Sequence, residues 1–438
     1  MRNSVKCLIN FISLFLLITC RNDDIIIRYD DQGVVTQLPY QWRSSLTDGA
    51  FGQKLYNGYT IRNTGVLCEL KREANSDNSS WKSSLALKDA ITGKNLWIWD
   101  DFYDNKLIRT LNDDIVVIDN KIWVHDLMAD YCIDATKGST IWKYQRVFPA
   151  YSEACNIEED FYFIANGLIA HKEGKIADSF FKYISNGSDY TELGHPPYDE
   201  KYAYHNGLGY YLGSLKDIYA FRRDNINYMV VSYVEMGPRI GPTQQPSNSS
   251  FLGLFNLSDN VWEYDRIPVS FEGEFGTLSL KPIVNEDNIF LTSGNFVLCF
   301  DLFTGKKKWH RRLTSAWTGP VDMILADHKL LVNMADATLY CLNSIDGSKR
   351  WTQKSSSLAS DLYHQNGIIY WIPLGNLRAV DLETGKLLWN LDTIEREAVK
   401  SHKSEWHGFV TGIPGKNGEK GKIFATSDHY LYCFEAIR

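Results

Sequence analysis

Short segments in which apolar and polar residues alternate recur along the chain, separated by polar turns. Examples are "NIFLTSGNFVLCF", "KLLVNMADATLYCL" and "GIIYWIPLGNLRAV". Alternation with a period of two predicts half-buried β-strands, whereas an amphipathic helix would place apolar residues three and four positions apart. Each of these segments is long enough for a pair of strands joined by a tight turn. We therefore predict an all-β protein.

One turn is repeated in a fixed frame, with Asp or Asn first, Gly four residues later and Trp four residues after that. Asp or Asn caps the backbone N–H groups of the turn, and Gly permits a positive φ. The large Trp is predicted to pack against the neighbouring unit. The five close copies are "DAITGKNLW", "DATKGSTIW", "DLFTGKKKW", "NSIDGSKRW" and "DLETGKLLW", which contain Gly93, Trp97, Gly138, Trp142, Gly305, Trp309, Gly347, Trp351, Gly385 and Trp389.

Two further copies of the turn are degenerate. "NLSDNVWEY" has Asn260 at the Gly position and an aromatic, Trp262 or Tyr264, at the Trp position. Asn tolerates the left-handed backbone conformation better than other non-Gly residues, so this copy keeps the physical requirement. "AHKEGKIADSF" keeps only Gly174 and a later aromatic near Phe180. With these two, seven units end on an aromatic fourth strand.

The units average about 40 to 50 residues, and each contains four short strands, which is typical of a β-propeller. Three more strands follow Trp389. The N-terminal segment "VVTQLPYQW", ending at Trp42, is predicted to supply the missing fourth strand, because closing the ring leaves no open sheet edge. We therefore predict eight four-stranded blades closed by an N-terminal strand, with seven blades as the alternative.

The N-terminus is a separate segment, in which Arg2 and Lys6 precede an apolar run and then Cys20. The order of charge, apolar run and cleavage region is typical of a secretory signal, and the run is shorter than the about 20 residues that span a bilayer. "LITC" resembles a bacterial lipobox, although Thr19 departs from the usual small residue before the acylated Cys. An ordinary signal peptide with an incidental Cys is the alternative.

These patterns divide the chain into a lipoprotein-type signal peptide (1–19), an anchor and linker (20–34) and a single propeller domain (35–438). "RNDD" after Cys20 resembles an acidic signal for surface export. The predicted location is the outer membrane, on its periplasmic face or at the cell surface. A formal net charge of -7 argues against nucleic-acid binding, which needs a basic surface.

Four of the eight cysteines recur at one position, two residues before the Asp, Asn or Glu that follows the third strand. They are Cys132, Cys299, Cys341 and Cys433. Leu87, Leu168, Leu254 and Ala379 are assigned to the same position in other units. Equivalent positions in neighbouring blades are too far apart for a disulfide, which needs Cα atoms within about 7 Å. We therefore predict free, buried thiols that act as small apolar side chains.

The repeat exemplified by "LRAVDLETGKLLW" resembles the quinoprotein-type (pyrroloquinoline-quinone-like) propeller repeat over most of residues 42–438. That resemblance implies either of two functions. Quinoprotein dehydrogenases carry the quinone on the propeller axis with calcium or a lanthanide, an acidic base and, in many, a disulfide between adjacent cysteines. A propeller lipoprotein of the outer-membrane β-barrel assembly machinery is instead a non-catalytic scaffold.

No two cysteines of this chain are adjacent, and no residue matches a metal or base motif of the dehydrogenases. Neither pyrroloquinoline quinone nor calcium is therefore predicted as a cofactor, and no catalytic or metal-binding residue is assigned. The expectation is a monomeric, lipid-anchored scaffold with a protein partner in the cell envelope. The alternatives are a quinone-dependent oxidoreductase and a surface lipoprotein that binds glycan or protein.

One region, at about 181–262, interrupts the repeat and enlarges one blade. It contains "KYISNGSDYTELGHPPYDEKYAYHNGLGYY". Tyr is large, rigid and half polar, which suits it to binding surfaces. Tyr190, Tyr198, Tyr202 and Tyr204 are therefore the candidate recognition surface. The alternative is that these side chains pack between blades.

Overall fold

The structure is a computed structural model. It describes residues 26–47, 58–73, 81–102, 115–118, 120–126, 129–145, 151–158, 160–171, 175–183, 190–198, 204–205, 210–236, 248–269, 280–315, 318–393 and 405–438. The regular secondary structure in these ranges consists of β-strands alone. No helix in the described ranges is long and apolar enough to span a membrane.

The first three strands precede blade 1 in the sequence. They are β1 (Arg28–Tyr29), β2 (Val35–Gln37) and β3 (Trp42–Ser45). Blade 1 contains β4 (Tyr59–Ile61), β5 (Gly65–Glu73), β6 (Trp81–Asp89) and β7 (Asn95–Trp99). Blade 2 contains β8 (Val116–Ile118), β9 (Lys121–His125), β10 (Ala129–Asp134) and β11 (Thr140–Gln145). Blade 3 contains β12 (Tyr151–Ile157), β13 (Asp160–His171), β14 (Lys175–Tyr183) and β15 (Tyr190–Gly194), after which β16 (Tyr204–His205) follows.

The second half of the ring has the same organisation. Blade 4 contains β17 (Tyr210–Arg223), β18 (Ile226–Met236), β19 (Asn248–Asn256) and β20 (Val261–Pro268). Blade 5 contains β21 (Ile283–Asn285), β22 (Asn288–Ser293), β23 (Phe296–Asp301) and β24 (Lys307–Arg312). Blade 6 contains β25 (Pro320–Ala326), β26 (Lys329–Met334), β27 (Thr338–Asn343) and β28 (Lys349–Lys354). Blade 7 contains β29 (Tyr363–Gln365), β30 (Ile368–Trp371), β31 (Leu377–Asp381) and β32 (Leu387–Leu391), and blade 8 begins with β33 (Trp406–Ile413), β34 (Lys422–Ser427) and β35 (Tyr430–Glu435).

An N-terminal strand completes blade 8, as predicted. Strand β3 pairs antiparallel with β35, and Trp42 lies opposite Cys433. The fold is therefore an eight-bladed propeller, and the seven-blade alternative is wrong. The closing strand begins at Trp42 instead of ending there. The preceding residues form β2, which pairs in parallel with β32 at Val35 and Trp389 and so covers the outer edge of blade 7.

Blades 3 and 4 share a nine-stranded sheet. One end of β14 pairs with β15, its blade 3 partner. The other end pairs in parallel with the start of β17 in blade 4. The turn in "AHKEGKIADSF" therefore joins the second and third strands of blade 3. Our assignment of this turn to the third and fourth strands was wrong: Phe180 lies on the third strand and Leu168 on the second.

The ring has two faces, distinguished by their turns. On the hairpin face, the turn between a blade's first two strands is hydrogen-bonded to the turn between its last two, as in Leu382 N–H to the Gly367 carbonyl, 2.9 Å. The connection face carries the second-to-third turns and the links between blades. There, Ser355 N–H donates to the Ala337 carbonyl at 2.7 Å. The links between blades therefore lie on the connection face.

The cysteines within the described ranges are free and buried, as predicted. They are Cys68, Cys132, Cys155, Cys299, Cys341 and Cys433. Cys132, Cys299 and Cys341 each lie opposite a fourth-strand Trp of their own blade. Burial raises the pKa of Cys299 from 9.0 to about 12, since a thiolate would lose its hydration there. These thiols are core side chains.

Candidate functional site

The repeated Trp and Gly form a contact between neighbouring blades. In blade 6, the Trp351 indole N–H donates to the Leu382 carbonyl of blade 7 at 3.0 Å. The same ring covers Gly385, where an added Cβ would lie 2.6 Å from two ring carbons. Gly385 also has φ +69°. Gly is therefore required twice, for its backbone conformation and for the space that the Trp ring occupies.

This contact, which we call the Trp–Gly latch, recurs around the ring. The indole donors and carbonyl acceptors are Trp42 with Ala90, Trp97 with Ala135, and Trp309 with Ser344. The rings cover Gly93, Gly138 and Gly347, respectively. Between blades 4 and 5, the Tyr264 hydroxyl donates to the Leu302 carbonyl at 2.8 Å. Tyr264, and not Trp262, is thus the aromatic of the degenerate copy, and Gly305 lies beneath it and Ile267.

The Asp or Asn that opens each turn holds the latch in shape. Asp381 Oδ1 accepts the Thr384 N–H at 2.9 Å and its hydroxyl at 2.8 Å. Burial alone would raise the pKa of Asp381, but these bonds and the Arg438 guanidinium hold the pKa below its ordinary value of 3.8. Asp89 and Asp301 make the equivalent bonds. The most conspicuous polar residues of the repeat therefore have structural roles.

Two of the predicted Trp residues have other contacts. Trp142 meets Trp123 of its own blade edge to face, with ring centroids 5.0 Å apart. The residues that join the last two strands of blade 3, where the equivalent turn would lie, are outside the described part of the chain. Trp389 packs near Phe434 of blade 8, 6.2 Å between centroids. Blade 8 has no turn of this kind, since its fourth strand comes from the other end of the chain.

Tyr198 is buried and takes the role of a latch between blades 3 and 4. Its ring fills the space above Gly213 of β17, where a Cβ would overlap it. It also meets Tyr233 of blade 4 edge to face, at 5.7 Å. Beside it, Arg266 donates to the Pro197 carbonyl and pairs with buried Glu235. Tyr198 therefore does not belong to an exposed recognition surface, and the blade-packing alternative holds for this residue.

The structure describes the other predicted recognition residues in less detail. Tyr190 is exposed and packs edge to face on Phe163 and Phe181 at 5.9 and 5.4 Å. Tyr204 lies in β16, whose backbone pairs with β17. Tyr202 lies outside the described residues, as does Cys20. A recognition role for Tyr190, Tyr202 and Tyr204, and lipid attachment at Cys20, stay predictions.

A cavity of about 740 Å³ lies on the propeller axis. The innermost strands of blades 1 to 6 and Asp361, ahead of blade 7, line it. Its polar lining is formed by Asn156, Asp217, Lys281, Asp322 and Asp361. Asp322 accepts the backbone N–H of Met323 at 2.7 Å and of Leu362 at 2.6 Å. Burial nevertheless raises its pKa, so this carboxyl is a weaker acid than usual.

The axial cavity is where the dehydrogenases of the resembled family hold their quinone and metal ion. Within the described ranges, no three His, Cys, Asp or Glu side chains lie close enough together to hold a metal ion. Calcium and lanthanide sites need several oxygen ligands around one point. Asp322 already uses its oxygens for backbone N–H groups. The described lining therefore does not fit the metal half of that cofactor pair.

Sequence reasoning missed the cavity carboxylates and the Tyr198–Gly213 contact. Asp217 and Asp322 belong to different blades, Asp361 belongs to the link before blade 7, and the three share no motif, so only the ring geometry brings them to one cavity. Tyr198 lies in a segment without periodicity. The available signal was Gly213 in the long strand of blade 4, since a Gly within a strand often marks close approach of another group.

The fold and the latches define a class, an eight-bladed β-propeller with quinoprotein-like repeats. The family model of the outer membrane protein assembly factor BamB matches residues 258–353 and, in an overlapping match, 293–412. Together the two matches extend from the last strand of blade 4 through blades 5 to 7 into the first strand of blade 8, roughly a third of the chain. No curated protein sequence matches the chain.

Among solved structures, Sqt1 from Saccharomyces cerevisiae is similar with a TM-score of 0.60 and 9% identity, covering 90% of this chain and 99% of that one. A europium-containing methanol dehydrogenase gives a TM-score of 0.57 and 11% identity, covering 91% and 93%. BamB from Moraxella catarrhalis gives a TM-score of 0.45 and 13% identity, covering 80% and 91%. At these identities, the likeness to solved structures shows the propeller fold alone.

Proposed function

We propose that this protein is a non-catalytic binding scaffold of the bacterial cell envelope that takes part in outer-membrane protein assembly. The observation that carries the proposal is the match of blades 5 to 7 to the BamB family model. The proposal includes a monomeric ring, a lipid anchor at Cys20 and a protein partner at the outer membrane.

The chemistry of the repeat supports a scaffold. The Asp, Thr, Gly and Trp residues of the repeated turn hold one blade to the next, as at Trp351 and Gly385. A ring held by such latches presents loops at fixed positions, which lowers the entropy cost of binding a partner. The variable connections between blades lie on one face, where a partner can contact several of them together.

Affinity purification from detergent-solubilised outer membranes tests this proposal. The tagged full-length chain should enrich components of the barrel-insertion machinery over a tagged, unrelated lipoprotein. Replacement of Cys20 by Ala should release the protein into the soluble fraction. Retention of the Cys20→Ala variant on membranes would count against the lipid anchor without affecting the scaffold proposal.

A quinone-dependent enzyme is the second candidate, favoured by the axial cavity of about 740 Å³. The purified protein would be titrated with pyrroloquinoline quinone and calcium, with dye reduction as the readout. The scaffold proposal predicts neither saturable binding nor dye reduction. One-to-one binding with alcohol-dependent dye reduction would replace the scaffold by the enzyme.

A further inference from the structure

Two leucines are exposed on adjoining segments of the connection face at blades 6 and 7. Leu358 lies in the link between these blades and is 75% exposed, and Leu374 lies in the second-to-third turn of blade 7 and is 64% exposed. Two hydrogen bonds join the segments that carry these leucines. The Ser360 N–H donates to the Ile372 carbonyl at 3.0 Å, and the Ile372 N–H donates to Ser360 Oγ at 2.9 Å. Each leucine is two residues from this pair, so the two leucines lie on adjoining segments of the same face.

The backbone at Leu374 is strained. Its φ is +31°, in a region that residues with a Cβ rarely adopt. Gly375 follows with φ +83°. Strained backbone of this kind persists only where surrounding structure enforces it, and it concentrates at binding and active sites. Here the strained residue exposes an apolar side chain to water, and a bound partner would remove that side chain from water.

Charge is distributed unequally around the two leucines. On the blade 8 side, a Cβ added to Gly375 would lie 3.3 Å from the Glu405 carboxylate. The Glu405 N–H donates to Asp428 Oδ2 at 2.9 Å, and Asn376 lies 3.4 Å from Asp392 Oδ1. That flank therefore carries three carboxylates. On the blade 6 side, Arg378 donates to the Lys354 carbonyl at 2.7 Å, so that flank is basic.

We propose that Leu358 and Leu374 form a docking site for a segment of a partner protein. The segment places an apolar side chain over the two leucines and a Lys or Arg beside Glu405. The inference rests on the proposed scaffold function and specifies its binding surface. Charge complementarity selects this occupant: three carboxylates repel an anionic membrane surface, and a net charge of -7 opposes association with a second copy of the chain.

Photo-cross-linking in intact cells tests the docking site. A benzophenone amino acid replaces Leu358 in the full-length chain, and mass spectrometry then identifies the cross-linked peptide. The expected product is a peptide of another envelope protein with an apolar residue next to Lys or Arg. Its yield should fall at least tenfold when Glu405→Lys or Leu374→Asn is added. Ile345→Ser, an exposed apolar residue on the hairpin face, is the matched control and should leave the yield unchanged.

Leu374→Asn keeps the test independent of folding. Asn tolerates positive φ better than Leu, so this variant should melt no lower than the wild type. A cross-link within the chain, a cross-link to a second copy, no cross-link, or a yield unaffected by Glu405→Lys would overturn the docking site.

A second cross-linker position separates the two proposals. Ser315 lies on the connection face in the link from blade 5 to blade 6. If a cross-linker there captures an envelope protein and the one at Leu358 does not, the docking site is wrong and the scaffold function stands. If neither position captures a protein, the scaffold function fails as well.

Discussion

Replacing Gly385 by Ala tests the Trp–Gly latch, and the structure sets the size of the effect. A left-handed backbone costs an Ala roughly 1–2 kcal/mol more than a Gly. The added Cβ would also lie 2.6 Å from the Trp351 ring, and overpacking of this kind costs about 1–3 kcal/mol. The two terms predict a loss of about 2–5 kcal/mol in the free energy of unfolding.

Gly418 provides a matched control, because it has φ +84° and no atom within 4 Å of an added Cβ. Gly418→Ala should therefore cost only the backbone term, about 1–2 kcal/mol. Urea unfolding followed by far-UV circular dichroism measures both variants, with the midpoint shift multiplied by a common m value. The difference between the variants isolates the contact with the ring.

A double-mutant cycle completes the test. In a Trp351→Ala background the ring is gone, so Gly385→Ala should cost no more than Gly418→Ala. Equal costs for Gly385→Ala and Gly418→Ala in the wild-type background would refute the latch. So would a cost at Gly385 that stays the same without the Trp351 ring.

Three further predictions concern the latch and the core. Tyr264→Phe should lose about 1 kcal/mol in the free energy of unfolding, because the Leu302 carbonyl loses its hydrogen bond; an unchanged urea midpoint would contradict this role. Since the folded-state pKa of Asp381 is lowered, the stabilisation that its carboxylate provides is present above pH about 4 and is lost as pH falls through the folded-state pKa. In urea titrations, the unfolding free energy of the wild type should therefore approach that of Asp381→Ala in acid. A difference in unfolding free energy that stays constant from pH 7 to pH 2 would contradict this role. With Cys7 and Cys20 replaced by Ser, the folded protein should not react with Ellman's reagent at pH 8, whereas the unfolded chain should show six thiols: Cys68, Cys132, Cys155, Cys299, Cys341 and Cys433. Because burial raises the folded-state pKa of the thiols, the free energy of unfolding should fall as pH rises from 9 to about 12. Rapid labelling of the folded protein would contradict the burial of these cysteines.

The repeat could be recognised in the sequence because each latch needs the same side chains. A Gly that must accept both positive φ and a Trp ring cannot vary freely, which is why Gly93, Gly347 and Gly385 share one frame with their Trp residues. Ring closure by an N-terminal strand was predictable for a similar reason. Three strands after Trp389 leave an edge that the ring must pair.

The strand order of the third blade could not be predicted from the sequence, since this blade packs through contacts that do not use the repeated turn. Its second-to-third hairpin resembles the repeated turn only in one Gly and one aromatic, and the parallel pairing of β14 with β17 joins residues about 35 positions apart. Tyr198 lies among several similar Tyr residues, and sequence alone does not show which of them is buried. The exposed leucines were missed because isolated apolar residues in loops carry no periodic signal.

Quantitative affinity purification from solubilised outer membranes is the sharpest test of whether this propeller binds protein partners in the envelope. The full-length chain should enrich the barrel-insertion machinery, and Glu405→Lys with Leu374→Asn should reduce this enrichment at least tenfold without lowering the melting temperature of the protein. Recovery of the folded, membrane-bound protein without any enriched envelope protein would contradict such binding.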